Sequence, residues 1–149
     1  MEPFFRDYLE LLRDLDQEFI AAFDALPTEA LDWVPGADMN SLCVLVVHTT
    51  ASARFWIGDV AMGETSNRIR ALEFQASGLS ETELKARFAA LEAYVESALE
   101  RLTLADLATM RPMPDRDTVS AGWALLHALE HTGLHLGHAQ ITRQLWEQK

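Results

Sequence analysis

The segment HALEHTGLHLGH, residues 127–138, holds four of the chain's five histidines: His127, His131, His135 and His138. Imidazole can act as acid, base or metal ligand near neutral pH. A helix advances about 100° per residue, so His127 and His135 lie about 40° to either side of His131, and His138 lies about 20° from it. The four therefore share one stripe of one helix. Histidines at i and i+4 are neighbours on a helix surface, and their rings can converge on one cation. A metal site with catalytic capacity also wants a third protein ligand and an open position. The fifth histidine, His48, lies midway along another helical segment. Packing of that segment against the stripe can bring His48 opposite His131 and His135. The spacing alone is equally compatible with core or cleft histidines bonded to backbone carbonyls.

The neighbours of this set have several readings. His127 can be a fourth ligand, a substrate contact or a buried hydrogen-bonding residue. The last is the expectation, because buried polar groups find local partners. His138 can orient a ligand histidine from behind, or pack in the cleft. Glu130 adjoins His131 but points about 100° away from it. Asp59 shares the helix face of His48 but lies ~16 Å along the axis, so it reads as a solvated helix end. Cys43, about 140° from His48 around the helix, reads as a small buried hydrophobe. Trp33, Trp56, Trp123 and Trp146 are expected in the core or a dimer interface, and Trp56 and Trp123 can also wall a cleft. The zincin pattern H-E-x-x-H is absent, as are P-loop, G-x-G-x-x-G, G-x-S-x-G and C-x-x-C motifs.

Helical periodicity supplies the elements that must position these residues. Phe5, Tyr8, Leu9, Leu12, Leu15, Phe19 and Phe23 form one face of an amphipathic helix over residues 4–26, and Pro27 favours its end. Residues 27–40 read as a link, with Asn40 or Ser41 capping a helix from residue 41 to about residue 62. That helix is apolar on most sides, as in the interior of a bundle, and Gly63 can end it. Residues 63–79 read as a longer link. Ser80 and Glu83 form a capping box for a helix to about residue 102. Pro112 and Pro114 exclude a helix in MRPMPDRD. Thr118 or Ser120 then caps a last helix, which bears the histidine stripe and runs to about Trp146. The pattern predicts an all-α four-helix bundle, with no convincing strand run and one domain over residues 1–149.

Composition narrows the function. Lys and Arg total 12 against 23 Asp and Glu, a formal charge of −11. Binding to phosphate backbones depends on cationic side chains, so nucleic acid and anionic membranes are disfavoured as partners. The longest apolar run, LCVLVV, is far short of the ~20 residues that span a bilayer. No secretory signal pattern opens the sequence, and its single cysteine excludes an internal disulfide framework, so a cytoplasmic location is expected.

His48 within SLCVLVVHTTASARFW, followed by HTGLHLGHAQI, resembles the DinB-like metalloenzyme family. There, one histidine of the second helix joins an H-x3-H pair of the fourth. The LDWVPGADMNSL stretch, with Trp33, Pro35 and Asn40, is similar to the family's approach to the second helix. The resemblance implies His48, His131 and His135 as metal ligands and matches Gly137 to the family glycine, while His138 replaces the family glutamine. It also implies an up-down-down-up bundle, often a homodimer, with a divalent ion such as zinc or nickel. The implied activity is hydrolysis or S-transfer on a small electrophilic substrate, using water or a low-molecular-weight thiol. A non-catalytic bundle that binds a small ligand or dimerises, its histidines vestigial or structural, is the alternative.

Overall fold

A computed structural model describes residues 1–113 and 116–149. The expected break at Pro114 thus falls outside the described residues. The first helix, α1 (Pro3–Phe23), begins at Pro3, where the missing N–H costs nothing, and buries Phe5, Tyr8, Leu9, Leu12, Phe19 and Phe23. Asp16 lies on the same buried face, whereas Leu15 is only partly covered. A short helix, α2 (Thr28–Asp32), forms within the first link.

Helix α3 (Leu42–Arg54) is capped by Ser41, whose hydroxyl accepts the Val44 N–H at 3.2 Å. It continues into a π-helical segment, Phe55–Ala61, and Gly63 follows with φ of +73°, the left-handed conformation that glycine tolerates best. The second link contains one further helical turn, α4 (Arg70–Glu73). Helix α5 (Glu81–Glu100) starts at the expected Ser80–Glu83 capping box. After a 3-10 turn, Leu104–Ala108, the chain forms an antiparallel pair, β1 (Met110–Met113) and β2 (Arg116–Ser120). This hairpin corrects the expectation of no strands. β1 carries Met110, Pro112 and Met113 without alternation, β2 is mostly polar, and among the described side chains of the two strands only Val119 is buried, so no period-2 apolar pattern announces the hairpin. Ser120 caps α6 (Ala121–Glu147) by accepting the Trp123 N–H at 3.0 Å.

The fold is thus mostly helical. Helices α1 and α3 each pack against both α5 and α6. Two hydrophobic clusters fill the space between them. One joins Phe5–Leu12 of α1 to Ala53–Ala61, Leu91–Leu99 of α5 and Ala121–Ala128 of α6. The other joins Phe19–Phe23 to Leu42–Val47, Leu84, Phe88, Leu136 and Ala139. Between them lie buried polar residues, Asp16, Thr49 and Thr132. The Thr132 hydroxyl donates a hydrogen bond to the Ala128 carbonyl at 2.8 Å, while Asp16 Oδ1 and Thr49 Oγ1 have no partner among the described residues. Among those residues no helix is long and apolar enough to cross a membrane.

Candidate metal centre

Helix α3 carries His48 at a buried position of its core face, and α6 presents His131 and His135 one turn apart opposite it. His48 Nε2 lies 3.3 Å from His131 Nε2, which lies 3.2 Å from His135 Nε2. One nitrogen from each ring falls within 4.8 Å of the other two. Two nitrogens bound ~2.1 Å from one tetrahedral ion are about 3.4 Å apart, so these two separations are close to those of a shared cation.

The outer faces of two rings are held. His48 Nδ1 lies 2.7 Å from Glu73 Oε2, a pair that is almost wholly buried. A carboxylate only accepts, so the proton resides on Nδ1 and the Nε2 lone pair faces the other two rings. Arg68 grips Glu73 with both Nε and Nη2, the latter 2.8 Å from Oε2. Burial alone raises the Glu73 carboxyl, but the bonds from Arg68 and His48 outweigh it and hold the group below the usual carboxylate range. Burial lowers His48 despite Glu73, so the pair rests as neutral imidazole and carboxylate. The Phe74 ring covers His48 at 4.8 Å between centroids. On the other side, His138 Nδ1 stands 3.3 Å from His135 Nδ1, where it can accept the proton that leaves His135 Nε2 free.

Burial and the mutual proximity of the rings push His131 down to about 3. Burial, with His48 and His138, pushes His135 down to about 4. All three imidazoles are therefore uncharged at neutral pH, the form that donates to a metal. The donor set fits a borderline divalent ion, since imidazole suits zinc, copper, iron and nickel.

Every histidine singled out in the sequence gathers here, in different roles. His127 is 5.8 Å from His131 between centroids, outside the converging three. It is half-buried rather than buried, and its Nδ1 pairs with the exposed carboxylate of Glu130 at 3.0 Å. Trp123 stacks on it at 4.8 Å and Trp56 meets it edge-on at 4.6 Å. Asp59 corrects the expectation of a solvated helix end. Its Oδ2 accepts the Ser66 backbone N–H at 3.0 Å and hydroxyl at 2.7 Å, and Oδ1 faces Arg54 at 3.5 Å. The carboxylate folds back to pin the second link. Cys43 is buried, as expected.

Sequence reasoning missed Glu73, Arg68 and Phe74, all within what reads as a link. The available signal was weak: two arginines and a glutamate spaced around a short apolar turn in NRIRALEF.

The crystal structure of a conserved protein from Enterococcus faecalis superposes with a TM-score of 0.80, at 17% identity, over 100% of this chain and 99% of that one, which shows a shared fold. No match is found among curated proteins. The profile of the DinB superfamily matches residues 11–139, from the middle of α1 through the complete histidine stripe, and the chain belongs to that superfamily.

Proposed function

We propose that His48, His131 and His135 hold one divalent ion, zinc or nickel, through their Nε2 atoms, and that the protein is a metal-dependent enzyme acting on a small electrophilic substrate. The observation that carries this reading is the convergence of three lone pairs, two of them backed by a partner on the opposite ring nitrogen. Buried imidazoles without an ion are more simply satisfied one by one, by a carbonyl or a water. When bound, the ion supplies Lewis acidity, by which a water or a low-molecular-weight thiol becomes a nucleophile near neutral pH. Glu73 keeps the His48 proton on Nδ1, Arg68 keeps Glu73 ionised, and Phe74 shields the pair from water. His127, backed by Trp56 and Trp123, forms one wall beside His131. The same reading includes an up-down-down-up order. It is supported by one core cluster uniting the start of α1 and α6 with the ends of α3 and α5.

A second reading, a non-catalytic bundle that binds a small ligand or a second copy of the chain, has its own support. Leu126, Leu134, Ile141 and Leu145 line an exposed face of α6 beside the histidines. Elemental analysis of protein purified without chelator separates the two. About one divalent ion per chain is expected in the wild type and none in a His131→Ala, His135→Ala variant. Equal metal content in both proteins would sink the metal centre.

A further inference from the structure

A cavity of about 620 Å³ opens between α3, the second link and α5. None of the three converging histidines lines it. Its volume is in the ordinary range for a small-molecule site. Three guanidinium groups face it, Arg54, Arg68 and Arg87, in a chain with only 12 cationic side chains against 23 carboxylates. Concentrating a quarter of the cations around one opening makes this a local exception to the acidic surface.

The charges do not all count equally. Arg68 is matched by Glu73, which also lines the cavity. Arg54 lies 3.6 Å from the centre of the Tyr94 ring and is matched by Asp59 at 3.5 Å and Glu64 at 3.0 Å. Arg87 is exposed and has neither an ion pair nor a hydrogen bond among the described residues. Glu83, one turn earlier on α5, turns its carboxylate onto Ser80 at 2.7–2.8 Å instead. Of the three, Arg87 is thus the one whose guanidinium makes no direct bond among the described residues, with Glu83 acting on it only through space. Beside it, Val47 and Ala51 of α3 and Leu72 of α4 supply an apolar wall.

We propose that this cavity binds a small organic monoanion, a carboxylate carrying an apolar chain, at a site separate from the metal centre. Arg87 takes the carboxylate through its planar fork, a geometry that an ammonium cannot reproduce. The hydrocarbon part lies on the wall of Val47, Ala51 and Leu72. A dianion is disfavoured, because the second charge meets the field of Glu73 and the overall acidity of the chain. The site also touches the chain's own metal device. Arg68 and Glu73 stand between the cavity and His48, so an occupant that shifts Arg68 changes the hold on the His48 ring. By linkage, carboxylate and metal affinities must then alter each other by the same factor.

NMR titration of the full-length protein tests the site with four probes: hexanoate, acetate, inorganic phosphate and hexylammonium. Hexanoate is expected to give saturable shifts at Val47, Ala51 and Leu72, binding at least ~tenfold more tightly than acetate because its extra methylenes leave water. Phosphate and hexylammonium are expected to give no saturable shift there. An Arg87→Gln variant, altered only at an exposed position, should keep the native spectrum and bind hexanoate at least ~tenfold more weakly. The same titration in the His131→Ala, His135→Ala variant removes any carboxylate bound at a metal, and hexanoate binding should persist there. Loss of the metal reading would leave that result standing. Equal hexanoate affinity in wild type and Arg87→Gln, saturable binding of hexylammonium, or no saturable hexanoate shift would each overturn the proposal.

Discussion

Glu73 decides which nitrogen of His48 faces the other imidazoles. The 2.7 Å contact to Nδ1 is buried on both sides, so the carboxylate cannot exchange its partner for water at low cost. Such carboxylate–histidine pairs fix ring orientation and raise the basicity of the ligating nitrogen. Glu73→Ala is therefore expected to weaken zinc binding by about 10–100-fold, with Glu73→Gln falling between it and wild type. The glutamine oxygen can still accept from Nδ1, but its neutral amide no longer matches Arg68. Competition against a chromophoric chelator measures this, with circular dichroism to check that each variant is folded. Wild-type affinity in Glu73→Ala would mean that the pair does not orient a ligand. His138 occupies the comparable place behind His135, but it is exposed and its contact is longer, at 3.3 Å. Its substitution should matter less.

At the scale of elements, the π-helical segment after α3 sets where Trp56 stands. The wide turn shifts the register of side chains beyond Arg54, and Trp56 comes to rest against His127 while Asp59 reaches back to Ser66. Gly58 is what allows this turn to sit close to α5. A Cβ there would fall onto the Arg54 guanidinium and 2.5 Å from the Tyr94 hydroxyl. Gly58→Ala must expel Arg54 from the Tyr94 ring and from Asp59 and Glu64. The lost cation–π contact is worth about 0.5–1 kcal/mol. The partly exposed ion pairs add no more than about 1 kcal/mol. Gly58→Ala is expected to cost ~1–2 kcal/mol in urea unfolding, and less in an Arg54→Ala background, where only the Tyr94 hydroxyl still crowds the new Cβ. Equal costs in both backgrounds would show that the glycine serves something other than the arginine.

For the whole molecule, the polar level between the two hydrophobic clusters governs stability. Burial, with the field of Glu92 added, raises Asp16 to about 7. In the unfolded chain an aspartate titrates near 3.9. Between these values the folded protein holds a proton that the unfolded chain has released. The stability contributed by Asp16 is thus fully present below pH ~4 and is lost as pH rises to ~7. An Asp16→Asn variant cannot ionise. Relative to wild type it should gain ~2–4 kcal/mol between pH 4 and 8, with the difference flat beyond that range. Unfolding curves at several pH values measure this, and a constant difference between the proteins would rule out the buried titration.

Much of the molecule was already legible in local chemistry. The long helices, the Ser80–Glu83 box and the shared stripe of His131 and His135 depend on spacing of a few residues, which sequence displays directly. The pairing of His48 with that stripe rested on the family resemblance, and packing of α3 on α6 then brought the rings together. Other features depend on what packs against a residue rather than on the residue itself. Glu73 and Arg68 sit in a link of no clear period, and become a buried ion pair only because α4 folds onto His48. Asp59 follows the helical face correctly, yet its direction is decided by a loop that returns to it. Asp16 occupies a place that the pattern assigns to an apolar side chain. Local order thus determined the helices and the histidines, because hydrogen bonds and amphipathic faces are short-range. Tertiary structure alone decided which nitrogens converge, what stands behind them and where charge is buried, because those depend on desolvation by distant segments of the chain.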